Sequence, residues 1–79
     1  MPYYVYILKC SDNSYYVGSS NNLKNRINYH NKGSVQSTSN RRPVKIIWYC
    51  CFENKVKGLS FEKYLKHGSG FAFTRKRLV

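Results

Sequence analysis

The sequence predicts an α+β domain: a small three-stranded antiparallel sheet with two to three helices packed on it, in the order β-β-α-β-α-α. Three observations lead there. Residues 3–9 and 15–19 are short runs rich in Tyr, Val and Ile, separated by Ser11-Asp12-Asn13-Ser14. Leu23 and Ile27 fall four apart between a pair of asparagines and Gly33. Residues 44–52 are nearly all apolar around Trp48.

Each element has a local reason. β-branched and aromatic side chains suit a pleated, half-buried surface, so residues 3–9 read as a first strand and Tyr15 to Ser19 as a second. The Ser-Asp-Asn-Ser stretch between them is turn chemistry, because each side chain bonds its own local backbone. Asn21 or Asn22 supplies a helix cap. Leu23 and Ile27 form the inner stripe of that helix, and Gly33 suits its C-terminal stop. Residues 34–42 form a polar, exposed loop. Pro43 opens a third strand, Val44 to Phe52, whose unbroken apolar run fits the buried middle or inner face of a sheet. Asn54 caps a second helix reaching about Lys66, with Val56, Leu59 or Ser60, Tyr64 and Leu65 facing inward. Gly58 inside it costs about 1 kcal/mol against alanine. Gly68-Ser69-Gly70 ends it, and Phe71, Ala72 and the run Thr74 to Arg77 make a short third helix.

Seventy-nine residues make one small domain, able to bury only about 60–65% of its unfolded surface. Fourteen Lys and Arg stand against three acids, a net charge of +11. That imbalance calls for a polyanionic partner, nucleic acid first. A membrane surface fits less well, because the charges are spread along the chain rather than gathered on one amphipathic helix. No apolar run approaches the roughly 18 residues of a membrane span, and no secretory signal pattern is present, so the expected location is cytoplasmic. Cys10, Cys50 and Cys51 are odd in number and form no CxxC. They read as reduced, mostly buried thiols rather than zinc ligands.

The acids bound the chemistry. Asp12 falls in the hairpin turn, Glu53 at a strand end, and Glu62 within a helix. A hard divalent cation needs at least one oxygen ligand, and three scattered carboxylates cannot build a two-metal cluster. A metal-using phosphodiesterase here would rely on one ion and one main protein ligand. On composition alone, Glu62 reads more plainly as an exposed helix acid beside Lys63 and Lys66. Arg26 and His30, four apart, share a helix face. An arginine there can hold a phosphate by its fork, and a histidine can bond phosphate or move a proton near neutral pH. A plain basic face touching solvent or DNA backbone accounts for them equally well. The chain has eight tyrosines, most of them packing residues. A phenol titrates near 10, unless cations such as Lys9, Arg26 or a metal lower it.

Together these residues resemble the GIY-YIG nuclease superfamily. Tyr6 follows Tyr4-Val5, and Tyr16-Val17-Gly18 comes ten residues on. Arg26 lies eight residues past Gly18, then comes His30, and Glu62 lies on the helix after the third strand. The likeness runs from Tyr4 to about Leu65. It is nearest to the small standalone bacterial branch and to the N-terminal catalytic domain of excinuclease C, a nucleotide-excision-repair protein. Tyr4 stands where the family has glycine, Val17 where it has isoleucine, and residues 68–74 offer no match for a late asparagine.

The resemblance implies a single nuclease-like domain over residues 1–79. It would be a metal-dependent endonuclease hydrolysing phosphodiester bonds in DNA, in repair or recombination. It would use one Mg2+ or Mn2+ and no small-molecule cofactor. Tyr6 or Tyr16 would activate or orient the attacking water, and Arg26 would stabilise charge on the phosphate. His30 would assist at the phosphate or leaving group, and Glu62 would hold the ion. Gly18 would let backbone or substrate approach. Lys24, Arg41, Arg42 and the tail Arg75, Lys76, Arg77 are the expected nucleic-acid contacts, with a protein partner or a dimer completing recognition. The alternative is a non-catalytic basic binding module that keeps the scaffold. Retention of Glu62, which repels phosphate, favours the enzyme. A shared site also imposes a register: Tyr6 opposite Gly18 and Leu8 opposite Tyr16, through an odd or bulged loop. A tight two-residue turn would put the tyrosines on opposite faces.

Overall fold

The hairpin forms with an odd loop. In the computed structural model, which describes residues 2–67, β1 spans Tyr3–Lys9 and β2 spans Tyr15–Ser20. Tyr6 pairs with Gly18 and Leu8 with Tyr16. Beyond Lys9 and Tyr15, the Cys10 N–H donates to the Ser14 carbonyl at 2.9 Å, and the Asn13 N–H to the Cys10 carbonyl at 3.0 Å. Asn13 takes a left-handed φ of 68°, a conformation asparagine tolerates well. A turn followed by one left-handed residue is the usual three-residue hairpin connection. Both tyrosines therefore leave the same face of the sheet.

Helix α1 covers Leu23–Lys32. Asn22, not Asn21, is its cap, with the side chain accepting from the Asn25 N–H at 3.1 Å. Gly33 closes it at φ 84°. Leu23 and Ile27 pack on the cluster of Tyr6, Leu8, Cys10 and Val44, so α1 lies on the even-numbered face of β1.

Strand β3, Lys45–Phe52, pairs antiparallel with β1, giving the sheet order β2-β1-β3. The middle strand is therefore β1, not the apolar run 44–52. Val5, Tyr6, Ile7 and Leu8 are all 0% exposed, because helices cover β1 on both faces. The edge strand alternates: Tyr49 is 55% exposed and Cys51 is exposed, while Trp48 and Cys50 are half-buried. The thiols follow suit. Cys10 is buried, but Cys50 and Cys51 are not, contrary to the expectation of mostly buried cysteines. Ile7 faces Trp48 and Leu8 faces Ile46, leaving Ile47 as an extra residue. Such a bulge bends and blunts a sheet edge.

Helix α2, Lys55–Lys66, packs on the other face. Its inner side is rotated from the expected one. Val56, Leu59 and Tyr64 are exposed, and so is Ser60. Leu65 faces inward as expected, and Gly58, Phe61 and Glu62 join it in place of the others, a spacing that holds one helix face. Phe61 lies 6.1 Å from Trp48 and 5.4 Å from Phe52, ring centre to ring centre. Gly58 sets how close the helix comes: a Cβ there would sit 2.6 Å from the Tyr3 ring. Its poor helix propensity is offset by this approach. The expected third helix falls outside the described residues. Among the described residues, no helix is long and apolar enough to cross a membrane.

Candidate active site

Tyr6 is the centre of the site. Its ring is fully buried, and its backbone pairs with Gly18, whose missing side chain makes room for the phenol. The Tyr6 hydroxyl lies 3.0 Å from His30 Nε2 and accepts from Arg26 Nε at 3.4 Å. Arg26 and His30 reach it together because they are one turn apart on α1. Tyr16, across the strand pair from Leu8, sets its ring 5.1 Å from the His30 ring. Tyr6, Tyr16, Arg26, His30 and Gly18 thus converge.

Burial decides the charge states. It pushes the Tyr6 phenol up to about 12, and the opposing pull of Arg26 does not cancel it. Tyr6 is therefore a protonated phenol at neutral pH, and Arg26 does not make it a standing phenolate. Burial, with Arg26 second, pushes His30 down to about 4. His30 is 0% exposed, so it cannot touch a phosphate directly. It is a neutral imidazole behind Tyr6, and its Nδ1 lies 2.7 Å from Thr38 Oγ1.

This depression has a measurable consequence. Because the folded-state pKa of about 4 lies below the ordinary 6.5, the unfolded chain takes up the proton first as pH falls. The stability from keeping His30 neutral is complete above pH 6.5 and is lost toward pH 4. Each tenfold difference in proton affinity is about 1.4 kcal/mol, so urea unfolding at pH 5 should read roughly 2 kcal/mol less stability than at pH 7. His30→Gln should flatten that window. Asp12 adds little to this window, because its Ser14 hydrogen bonds hold the carboxyl below the usual carboxylate range.

Glu62 arrives from the opposite face. One carboxylate oxygen accepts from the Ser19 hydroxyl, and the other pairs with Lys66 Nζ at 2.8 Å. Lys66 also sits 5.8 Å over the Tyr16 ring. The carboxylate and the tyrosines therefore meet around the β2 edge, close enough for Glu62 to raise Tyr6 slightly. Tyr3 joins this side, its hydroxyl 3.2 Å from Ser19 Oγ. A cleft of about 630 Å³ opens between Tyr3, Ser19, Ser20, Arg26 and Lys55. It carries two cations and small hydroxyls, a lining suited to a phosphate backbone.

No three His, Cys, Asp or Glu gather among the described residues. Glu53 pairs with Lys57 at 3.2 Å on the surface, and Asp12 stays in the hairpin turn. Glu62 alone, a hard-oxygen donor only 16% exposed, fits one Mg2+ or Mn2+ completed by water and substrate oxygens. Lys66 would have to release its oxygen.

Sequence reasoning missed Ser19, Tyr3 and Thr38. Ser19 could have been found, since it shares the odd-numbered face of the hairpin with the α2 side. Thr38 is 0% exposed inside a loop read as exposed, and nothing local marks it. Arg41 and Arg42, expected to bind nucleic acid, are bound up in the fold. Arg41 donates to the Ser37 carbonyl and, at 2.8 Å, to Ser14 Oγ. Arg42 donates to the Ser39 and Asn31 carbonyls at 2.9 and 3.3 Å. Lys24 is exposed on the other flank of α1, beside a groove lined by Leu23, Ile27 and Tyr49. Arg75, Lys76 and Arg77 fall outside the described residues.

Known proteins are similar to this chain. The profile of the GIY-YIG catalytic domain matches residues 2–76. A UPF0213 protein of Clostridium perfringens is 50% identical over 64 residues, covering 80% of this chain and 69% of its own length. Another, from Haloquadratum walsbyi, is 34% identical over 76 residues, covering 95% of this chain and 80% of its own length. The solution NMR structure of a UPF0213 protein from Bacillus halodurans superposes with a TM-score of 0.59 at 32% identity, covering 95% of this chain and 81% of that one.

Proposed function

The chain belongs to the GIY-YIG catalytic domain family, and on that premise we propose that it is a metal-dependent endonuclease hydrolysing phosphodiester bonds in DNA. The observation that carries this reading is the buried Tyr6–Arg26–His30 cluster, meeting the Glu62 carboxylate around the β2 edge. Arg26, in the cleft wall, holds the phosphate and answers the charge that develops on it. Tyr16, half-buried beside the His30 ring, orients the attacking water, and the buried Tyr6 hydroxyl holds Arg26 and His30 in place behind it. Ser19 aims Glu62. Glu62 is the ligand we assign to one Mg2+ or Mn2+, which when bound would polarise the phosphate as a Lewis acid. The net charge of +11 supports DNA as the polyanion, acted on in the cytoplasm during repair or recombination.

A second reading has one observation in its favour. The Lys66–Glu62 pair neutralises the very group an ion needs, as a non-catalytic DNA-binding module would tolerate. Nicking assays on supercoiled, flapped, mismatched and single-stranded DNA, with Mg2+ or Mn2+, separate the two. The enzyme reading expects cleavage, and Arg26→Ala should slow it about 10²–10³-fold, the usual effect of deleting a charge-stabilising donor. Tight binding without cleavage of any substrate would establish the module.

A further inference from the structure

We propose that Thr38 is a positioning residue: it holds His30 in the Nδ1–H tautomer, which points the Tyr6 hydroxyl proton at His30 Nε2 and leaves the phenol oxygen to accept from Arg26. The effect on cleavage rests on the nuclease reading; the tautomer does not.

Hydrogen-bond counting supports the assignment. Five groups form one chain, buried at its centre. Arg26 Nε donates to the Tyr6 oxygen at 3.4 Å, Tyr6 lies 3.0 Å from His30 Nε2, and His30 Nδ1 lies 2.7 Å from Thr38 Oγ1. Thr38 Oγ1 in turn lies 3.5 Å from the Val35 carbonyl. Arginine can only donate and a carbonyl can only accept, so both ends of the chain are fixed. With Nδ1–H donating to Thr38, every proton has an acceptor: Arg26 to Tyr6, Tyr6 to His30, His30 to Thr38, Thr38 to Val35. Reversing the imidazole makes Nε2–H and Arg26 both donate to the Tyr6 oxygen. The phenol proton, in a residue 0% exposed, then has no acceptor among the described residues, while the Val35 carbonyl keeps only the Thr38 N–H. An unpaired buried polar group costs more than a weak bond returns, and a one-way chain strengthens each member. Thr38 is held for this task, its N–H on the Val35 carbonyl at 3.1 Å and its carbonyl accepting from Arg41 N–H at 2.9 Å.

The test is nitrogen-15 NMR of the His30 ring at pH 7, with single-turnover cleavage of Thr38→Val and Thr38→Ser. Valine keeps the shape and removes both donor and acceptor; serine restores them. The expected spectrum shows a protonated Nδ1 and a bare Nε2 in wild type and Thr38→Ser. In Thr38→Val the other tautomer should appear, with the single-turnover rate down about tenfold or more, because Arg26 loses its fixed acceptor and its aim, and the half-saturating DNA concentration unchanged. A protonated Nε2 in wild type overturns the proposal, and so does Thr38→Val with unaltered tautomer and rate. The wild-type spectrum decides even if the valine variant fails to fold. A wild type that shows Nδ1–H but cuts nothing keeps the tautomer assignment and sinks the nuclease reading instead.

Discussion

Glu62→Gln should reduce Mg2+-dependent nicking about 10³-fold or more while leaving the fold intact. Glutamine keeps the side-chain length and still offers an oxygen to the Ser19 hydroxyl. It loses the negative charge, and an amide oxygen is a weaker ligand for a hard cation. Losing several kcal/mol of charge stabilisation corresponds to that factor, since each 1.4 kcal/mol is about tenfold. Stability should barely move, because the lost Lys66 pair is partly exposed at 42% and 16% and pairs of this kind contribute about 1 kcal/mol at most. Two companions sharpen the result. Lys66→Ala frees the oxygen now bound at 2.8 Å and should lower the Mg2+ concentration needed for half-maximal rate. Glu53→Gln should change nothing, since that carboxylate lies on the surface with Lys57. Undiminished cutting by Glu62→Gln would show that the ion sits elsewhere.

How much of this was legible in the sequence depended on whether the signal was local. The hairpin was readable from its turn residues, while its register followed only from the shared site that the family resemblance imposed on Tyr6 and Tyr16, a tight two-residue turn remaining open. The α1 cap was readable as Asn21 or Asn22 and the stop as Gly33, because these residues act through their own backbone. What depended on distant partners was not. The apolar run of β3 looked like a central strand, yet centrality comes from having neighbours on both sides, and β1 has them. The inner face of α2 was misplaced because Gly58 and Glu62 do not look like core. One is there to admit the Tyr3 ring and the other to meet Ser19. The loop 34–42 is polar in composition, but Thr38 is drawn inside by His30. Even His30 was only half legible. Its position was readable from helix periodicity, while its neutrality follows from a burial no spacing reveals.

Gly18→Ala tests whether the site and the core are one structure, and it should lower both stability and activity. A Cβ at this position would lie 2.6 Å from Tyr6 Cζ and 2.9 Å from Tyr16 Cε2. The obstacle is space, not backbone strain, since alanine suits an ordinary strand conformation. Tyr6 has nowhere to withdraw: it is 0% exposed, and its hydroxyl is held by His30 and Arg26. Overpacking of this kind costs about 1–3 kcal/mol, and rigid rings on two sides place the expected value near the upper end. For a domain of this size, 2–3 kcal/mol corresponds to a Tm lowered by roughly 10–20 °C. The rate should fall further than the stability implies, because shifting the phenol by about 1 Å from its bonding position is worth about 10² in rate. A double-mutant cycle isolates the cause. Tyr6→Phe removes the hydroxyl nearest the new methyl but leaves the ring, so Gly18→Ala should cost about 0.5–1 kcal/mol less in that background. Urea melts of the four proteins give the coupling directly. A Gly18→Ala protein that melts with wild type would mean that the tyrosine ring moves freely, and the hydrogen-bonded cluster would then be too loose to aim Arg26.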